Sequence, residues 1–215
     1  MATTRLQLYN RALQICGEHR LASLSEDRKP RHELDLVWDS GGVDAVLAEG
    51  QWKFAMRAVQ LDYDPSITTS FGYQRAFSKP TDWILTSAMC SDEYYQVPLL
   101  GYVDEAGYWY ADLDVIYLRY VSNDTSYGND LSTWPGSFTD FAAAHFASKI
   151  ILSLTSDEKK IEEVFKMLKH YKGEAKNTDA MGDPTKFPAP GNWTSSRYGN
   201  NSSSRDRGSR NRLIG

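Results

Sequence analysis

The chain has 215 residues, a net charge of −4, 41% hydrophobic and 13% aromatic residues, which suits one domain carrying an insertion around a substantial core. No run of 18 apolar residues occurs, which excludes a helical membrane span. The start, "MATTRLQLYN", lacks the apolar segment of a signal peptide, so synthesis in the cytoplasm is expected.

Charge is unevenly placed. From Gly182 to Gly215 six basic residues face two acidic ones, a balance of +4, so the preceding 181 residues carry −8. An acidic body with a basic arm points to an acidic surface on another protein or on nucleic acid as the arm's target. The 6 Trp and 13 Tyr are types favoured in buried contacts, within a core or between subunits.

Thr3 or Thr4 can cap a first helix that runs to about Cys16 and stops at Gly17, with Leu6, Leu8, Tyr9, Ala12, Leu13 and Ile15 on a broad apolar face. A charged loop from Glu18 to His32 follows. Pro30 sits where a second helix can begin, and Leu34, Val37, Trp38, Val43, Val46 and Leu47 carry it to about Glu49, with Gly41-Gly42 a weak point. From Trp52 the pattern Trp52, Phe54, Met56, Ala58 alternates with polar residues and predicts an extended exit. Aromatic and β-branched runs, "SFGYQRAF", "DWILTSAM", "YYQVPLLGYV" and "GYWYADLDVIYLRYV", are divided by prolines and glycines and predict short antiparallel strands, with "VDEAGYW" as a hairpin turn.

Helices return at Pro135. The run from about Gly136 to Leu154 is apolar on most sides and predicts a buried helix. Thr155 and Glu158 fit a capping box for a last helix, in which Ile161, Val164, Phe165, Leu168, Tyr171 and Ala175 share a face. Roughly 19 residues would make it about 28 Å long. The expected fold class is therefore α+β: a helical bundle (1–57 and 133–178), an inserted antiparallel β module (58–132) and an extended C-terminal arm (179–215).

No residues converge on a chemistry. Cys16 and Cys90 read as free buried thiols, since two distant cysteines make neither a disulfide framework nor a zinc site. His19, His32 and His170 stand in charged surroundings, and His145 lies on an apolar helix face, where it reads as a satisfied core or interface histidine. "SGG" at Ser40–Gly42 lacks the Lys and Ser/Thr of a phosphate loop. The carboxylate pairs Asp92-Glu93, Asp104-Glu105 and Glu162-Glu163 read as solvated turn or helix charges. Catalytic residues, metals and cofactors are accordingly expected to be none.

The order of motifs is more informative. "LYNRALQICGEHRLASL", "VLAEGQWKFAMRAVQL", "GYQRAFSKPTDWIL", "VIYLRYV" and "WPGSFTDFAAAHFASKIILSLT", followed by a charged helix, together resemble the head-to-tail adaptor family of tailed bacteriophages, often called tail tubular protein A. The resemblance covers about Leu6 to Thr178. It implies a non-enzymatic virion protein at the head–tail junction, in a homo-oligomeric ring usually of twelve copies, between the portal ring and the tail or nozzle proteins. DNA would pass through without specific binding. Trp52, Phe54, Trp134, Phe138, Phe141 and Phe146 become the expected subunit or core packing residues. The arm is expected to bind the portal through Phe187, Trp193, Tyr198, Leu213 and Ile214 in apolar pockets, and through Arg205, Arg207, Arg210 and Arg212 on carboxylates. A segment this polar orders only against other chains, and its 34 residues could span about 110 Å. Other readings are a different tail completion or terminator protein, a nucleic-acid-binding protein using "RDRGSRNR", and a tail factor with wall-degrading activity.

Overall fold

The first helix, α1 (Arg5–Cys16), is set by both its ends. The Thr4 hydroxyl accepts from the Gln7 backbone N–H while the Gln7 side-chain oxygen accepts from the Thr4 backbone N–H, and Gly17 closes the last turn in the left-handed region. The structure is a computed structural model that describes residues 3–69 and 72–182; the expected C-terminal arm lies outside them from Asp183 onward.

The second expected helix is in fact two: α2 (Lys29–Asp39), with Pro30 in its first turn, and α3 (Gly42–Leu47). Gly41 at φ +84° turns the chain between them. After α3 the chain makes a 3₁₀ turn at Lys53–Ala55 before β1 (Met56–Asp62), so the extended exit starts later than the Trp52 alternation indicates.

The insertion is antiparallel throughout but forms two three-stranded sheets. One orders β1, β6 (Val115–Ser122) and β3 (Trp83–Cys90), with β6 central. The other orders β2 (Arg75–Ser78), β5 (Tyr108–Ala111) and β4 (Val103–Glu105). Phe77, Met89, Trp109, Ile116, Leu118 and Tyr120 come from both sheets and form one apolar cluster between them. Alternation along β6 sends Ile116, Leu118 and Tyr120 into that cluster and Val121 into the helical core instead. The run "YYQVPLLGYV" is mostly loop; only Val103 at its end enters a strand.

Next, α4 (Gly136–Leu154) fills the expected span and is the hub of the bundle, packed by α1, α2 and α3. Eleven of its residues are buried, which is why its sequence shows no polar face. The last helix, α5 (Glu158–Met181), has 24 residues, about 36 Å, and continues past the expected boundary at 178. The expected capping box is not formed. Thr155 ends α4 and accepts from the Asp157 backbone, while the Asp157 carboxylate accepts from Lys159 N and caps α5. In α5 only Val164 and Ala175 are buried; Ile161, Leu168 and Tyr171 lean on the core, and Phe165, expected to face it, is half-exposed. Helices and sheets belong to one compact unit that ends at Ala180.

Candidate assembly surface

The motifs behind the adaptor resemblance are packing partners. Trp52 and Phe54 of "GQWKFA" meet Phe138 of "WPGSFTDF" with ring centroids 4.8 and 4.7 Å apart, and Trp134 stands edge-on to the same ring at 4.8 Å. Phe141 completes the group, 5.9 Å from Trp52. Phe146 belongs to a second aromatic group with Tyr9 and Trp38. All six of these expected subunit or core residues therefore pack inside their own chain, Phe54 less deeply than the rest. The Trp134 indole donates to Gly128 O at 2.8 Å, which ties the start of α4 to the loop after β6.

"KPTDW" also has a structural meaning. The Asp82 carboxylate, 13% exposed, accepts from Arg57 of β1 at 2.8 Å, from the Tyr120 hydroxyl at 3.0 Å and from Ser122 Oγ at 2.5 Å, both on β6. Burial pushes its pKa up, yet these hydrogen bonds together outweigh burial and hold the group below the usual carboxylate range. Lys79 of the same motif lies 4.1 Å over the Trp83 ring and pairs with Asp104 at 2.7 Å.

The remaining expectations divide cleanly. Phe187, Trp193, Tyr198, Arg205, Arg207, Arg210, Arg212, Leu213 and Ile214 lie outside the described residues. Cys16 and Cys90 are free and buried, and burial pushes the Cys16 thiol up to about 11. His19, His32 and His170 are exposed, as expected. His145 departs from expectation: its Nδ1 is buried and has no hydrogen-bond partner. Asp92, Asp104 and Glu162 are occupied by a loop backbone, Lys79 and Lys166 respectively. Among the described residues no group of three His, Cys, Asp or Glu could hold a metal ion, and no helix is long and apolar enough to cross a membrane. A shallow polar groove of about 370 Å³ runs along α1 past Gln7, Asn10, Arg11, Gln14 and Arg20. Its polar groups are already engaged: Arg11 on Asp140, Arg20 on Gln14, and Asn10 on the Leu21 backbone.

What sequence reasoning missed is the loop between β3 and β4. It is tightly built. The Asp92 carboxylate accepts from the backbone of Gln96 and, at 2.7 Å, of Val97, and these bonds hold it below its ordinary pKa. Ser91 N donates to Val97 O, Leu99 N donates to Met89 O, and Pro98 bridges to Cys90. Tyr95 takes φ +56° and donates its hydroxyl to Leu118 O at 3.2 Å. Leu99 packs against the inter-sheet cluster. Between these anchors the loop holds apolar groups in solvent: Tyr94 at 72% exposure, Val97 at 55% and Leu100 at 89%, continued by the half-exposed Tyr102 and Val103. An apolar crown that the described residues leave exposed is the form an interaction surface takes. The signal available in sequence was the run Val97-Pro98-Leu99-Leu100, whose apolar character fitted a strand equally well.

A scan against protein-family models finds none that matches the chain, and a search of curated proteins likewise finds no match.

Proposed function

We propose that this chain is a structural adaptor subunit of a tailed-phage virion, forming a ring that joins the portal to the tail and surrounds the DNA passage. The observation that carries the reading is the hydrogen-bonded loop on which Tyr94, Val97 and Leu100 are exposed. Covering these three side chains with a partner is favourable at about 25 cal/mol per Å² of apolar surface removed from water. The order of the motifs supports the same reading, since the residues that carry it build the junction between bundle and sheets. In this reading the β module meets tail proteins, and the basic arm from Gly182 meets the portal.

Two variants separate the two ends. Leu100→Asp should still join portal rings from the same source but no longer accept tail proteins, whereas a chain ended after Gly182 should do the reverse. Electron microscopy and native mass of the mixtures read both. A wild-type chain that stays monomeric with portal rings present would sink the reading. So would a truncated chain that binds them unchanged.

A further inference from the structure

The negative charge of the body is gathered in one part of the chain. Residues 58–132 hold eleven Asp and Glu against three Lys and Arg, a balance of −8, while residues 1–57 and 133–181 together hold fifteen of each. The bundle is therefore neutral and the β module carries the whole excess. Of the module's three bases, Lys79 is paired with Asp104 and Arg75 with Asp114, and Arg119 is exposed on β6. The segment from Ser91 to Glu105, which bears the apolar crown, has four carboxylates, Asp92, Glu93, Asp104 and Glu105, and no base of its own. Asp92 keeps its charge although the loop backbone occupies it, because N–H donors favour the ionised form. The segment runs into β4, an outer strand of its sheet, where Val103, Asp104 and Glu105 are all exposed.

Apolar side chains set among carboxylates narrow the choice of occupant. Nucleic acid and an anionic lipid surface both carry the sign that this segment repels. A second copy meeting it crown to crown would set one acidic module against another, and the neutral bundle of a second copy offers no net attraction. A protein surface with an apolar socket edged by Lys or Arg is attracted on both counts. Its socket takes Tyr94, Val97 and Leu100 out of water, and its rim meets the carboxylates. We infer that the crown docks a different protein through a basic-rimmed apolar socket, with Leu100 as the apolar anchor and Glu93 and Glu105 as charged contacts. The basic segment from Gly182 has the required sign too, but it is assigned above to the portal, and the inference rests on that reading.

Fluorescence anisotropy on the full chain tests the chemistry, with a short synthetic peptide of alternating leucine and lysine as probe and its glutamate counterpart as control. The lysine peptide should bind and weaken about ten-fold between about 0.05 and 0.5 M salt, and the glutamate peptide should not bind. Leu100→Asp separates the crown from acidity alone. It adds a negative charge, so simple attraction would grow, whereas loss of the anchor should weaken binding about ten-fold. The neutral Leu100→Ser should weaken it likewise, and both should keep the fold, since Leu100 is in solvent. Glu93→Gln with Glu105→Gln should lower the affinity and flatten its salt dependence. Equal or tighter binding by Leu100→Asp overturns the inference, as does binding of the glutamate peptide. So does binding of duplex DNA or phosphatidylglycerol vesicles, or self-association of the wild type, that Leu100→Asp abolishes. A peptide of residues 200–215 that binds as tightly as the lysine probe and is lost with Leu100→Asp overturns it too, by making the arm the occupant. No portal or tail protein enters these mixtures, so failure here leaves the ring test standing, and failure of the ring test leaves the peptide result readable.

Discussion

Asp82 is the most consequential polar side chain in the β module, because one carboxylate serves donors from β1 and β6 at the mouth of β3. Asp82→Ala leaves Arg57, Tyr120 and Ser122 without their acceptor, and breaking a largely buried ionic network of this kind costs about 3 kcal/mol. Urea denaturation should show that loss. Because the folded carboxyl titrates below its unfolded value, its contribution is present above the ordinary carboxylate range and is lost as pH falls through the lower folded value. Between about pH 4 and pH 2 the wild type should therefore lose more stability than Asp82→Asn. Gly128 is constrained by space. A Cβ there would lie 2.3 Å from Ser122 O and 2.7 Å from a Leu47 methyl, and the same residue offers the carbonyl that Trp134 uses. Gly128→Ala should cost about 1–3 kcal/mol and shift Trp134 fluorescence, because the loop must move away from α3. A change below about 0.5 kcal/mol would mean that the loop yields freely.

Among the elements, the hairpin of β4 and β5 turns on Ala106 at φ +48° and Gly107 at φ +86°. Two successive positive values are the mark of a type I′ turn, which suits Asn-Gly and strains alanine by about 1–2 kcal/mol. Ala106→Asn should accordingly raise the melting temperature, and an unchanged or lower value would contradict the turn geometry. The sequence made this hairpin legible through Gly107 and the aromatic run after it, whereas the helix ends were legible only where a cap was unambiguous. Thr4, Gln7 and Gly17 fixed α1. The Thr155/Glu158 pattern misled, because Asp157 offered a competing carboxylate two residues closer to the helix. Apolar spacing could not tell that Phe165 faces outward, since α5 shows the bundle a stripe narrower than its own apolar face.

For the whole molecule, the buried members of both hydrophobic clusters among the described residues come from residues 8–175, and a chain ended after Gly182 is expected to keep its far-UV spectrum and melt within about 0.5 kcal/mol of the full chain. A large loss would show that the arm supports the body. Composition and periodicity determined the class of fold, the helix–β–helix order and the split between an acidic body and a basic arm. These follow from local burial patterns and from counting charge, which need no partner residue. Tertiary structure alone decided that the insertion is two sheets over one core, that Asp82 gathers its three donors, that Glu49 pairs with Lys172 of α5, and that Tyr94, Val97 and Leu100 are exposed among the described residues. Each depends on residues distant in the chain meeting in space, and an apolar run reads the same whether its side chains enter a core or are held away from one by a hydrogen-bonded loop.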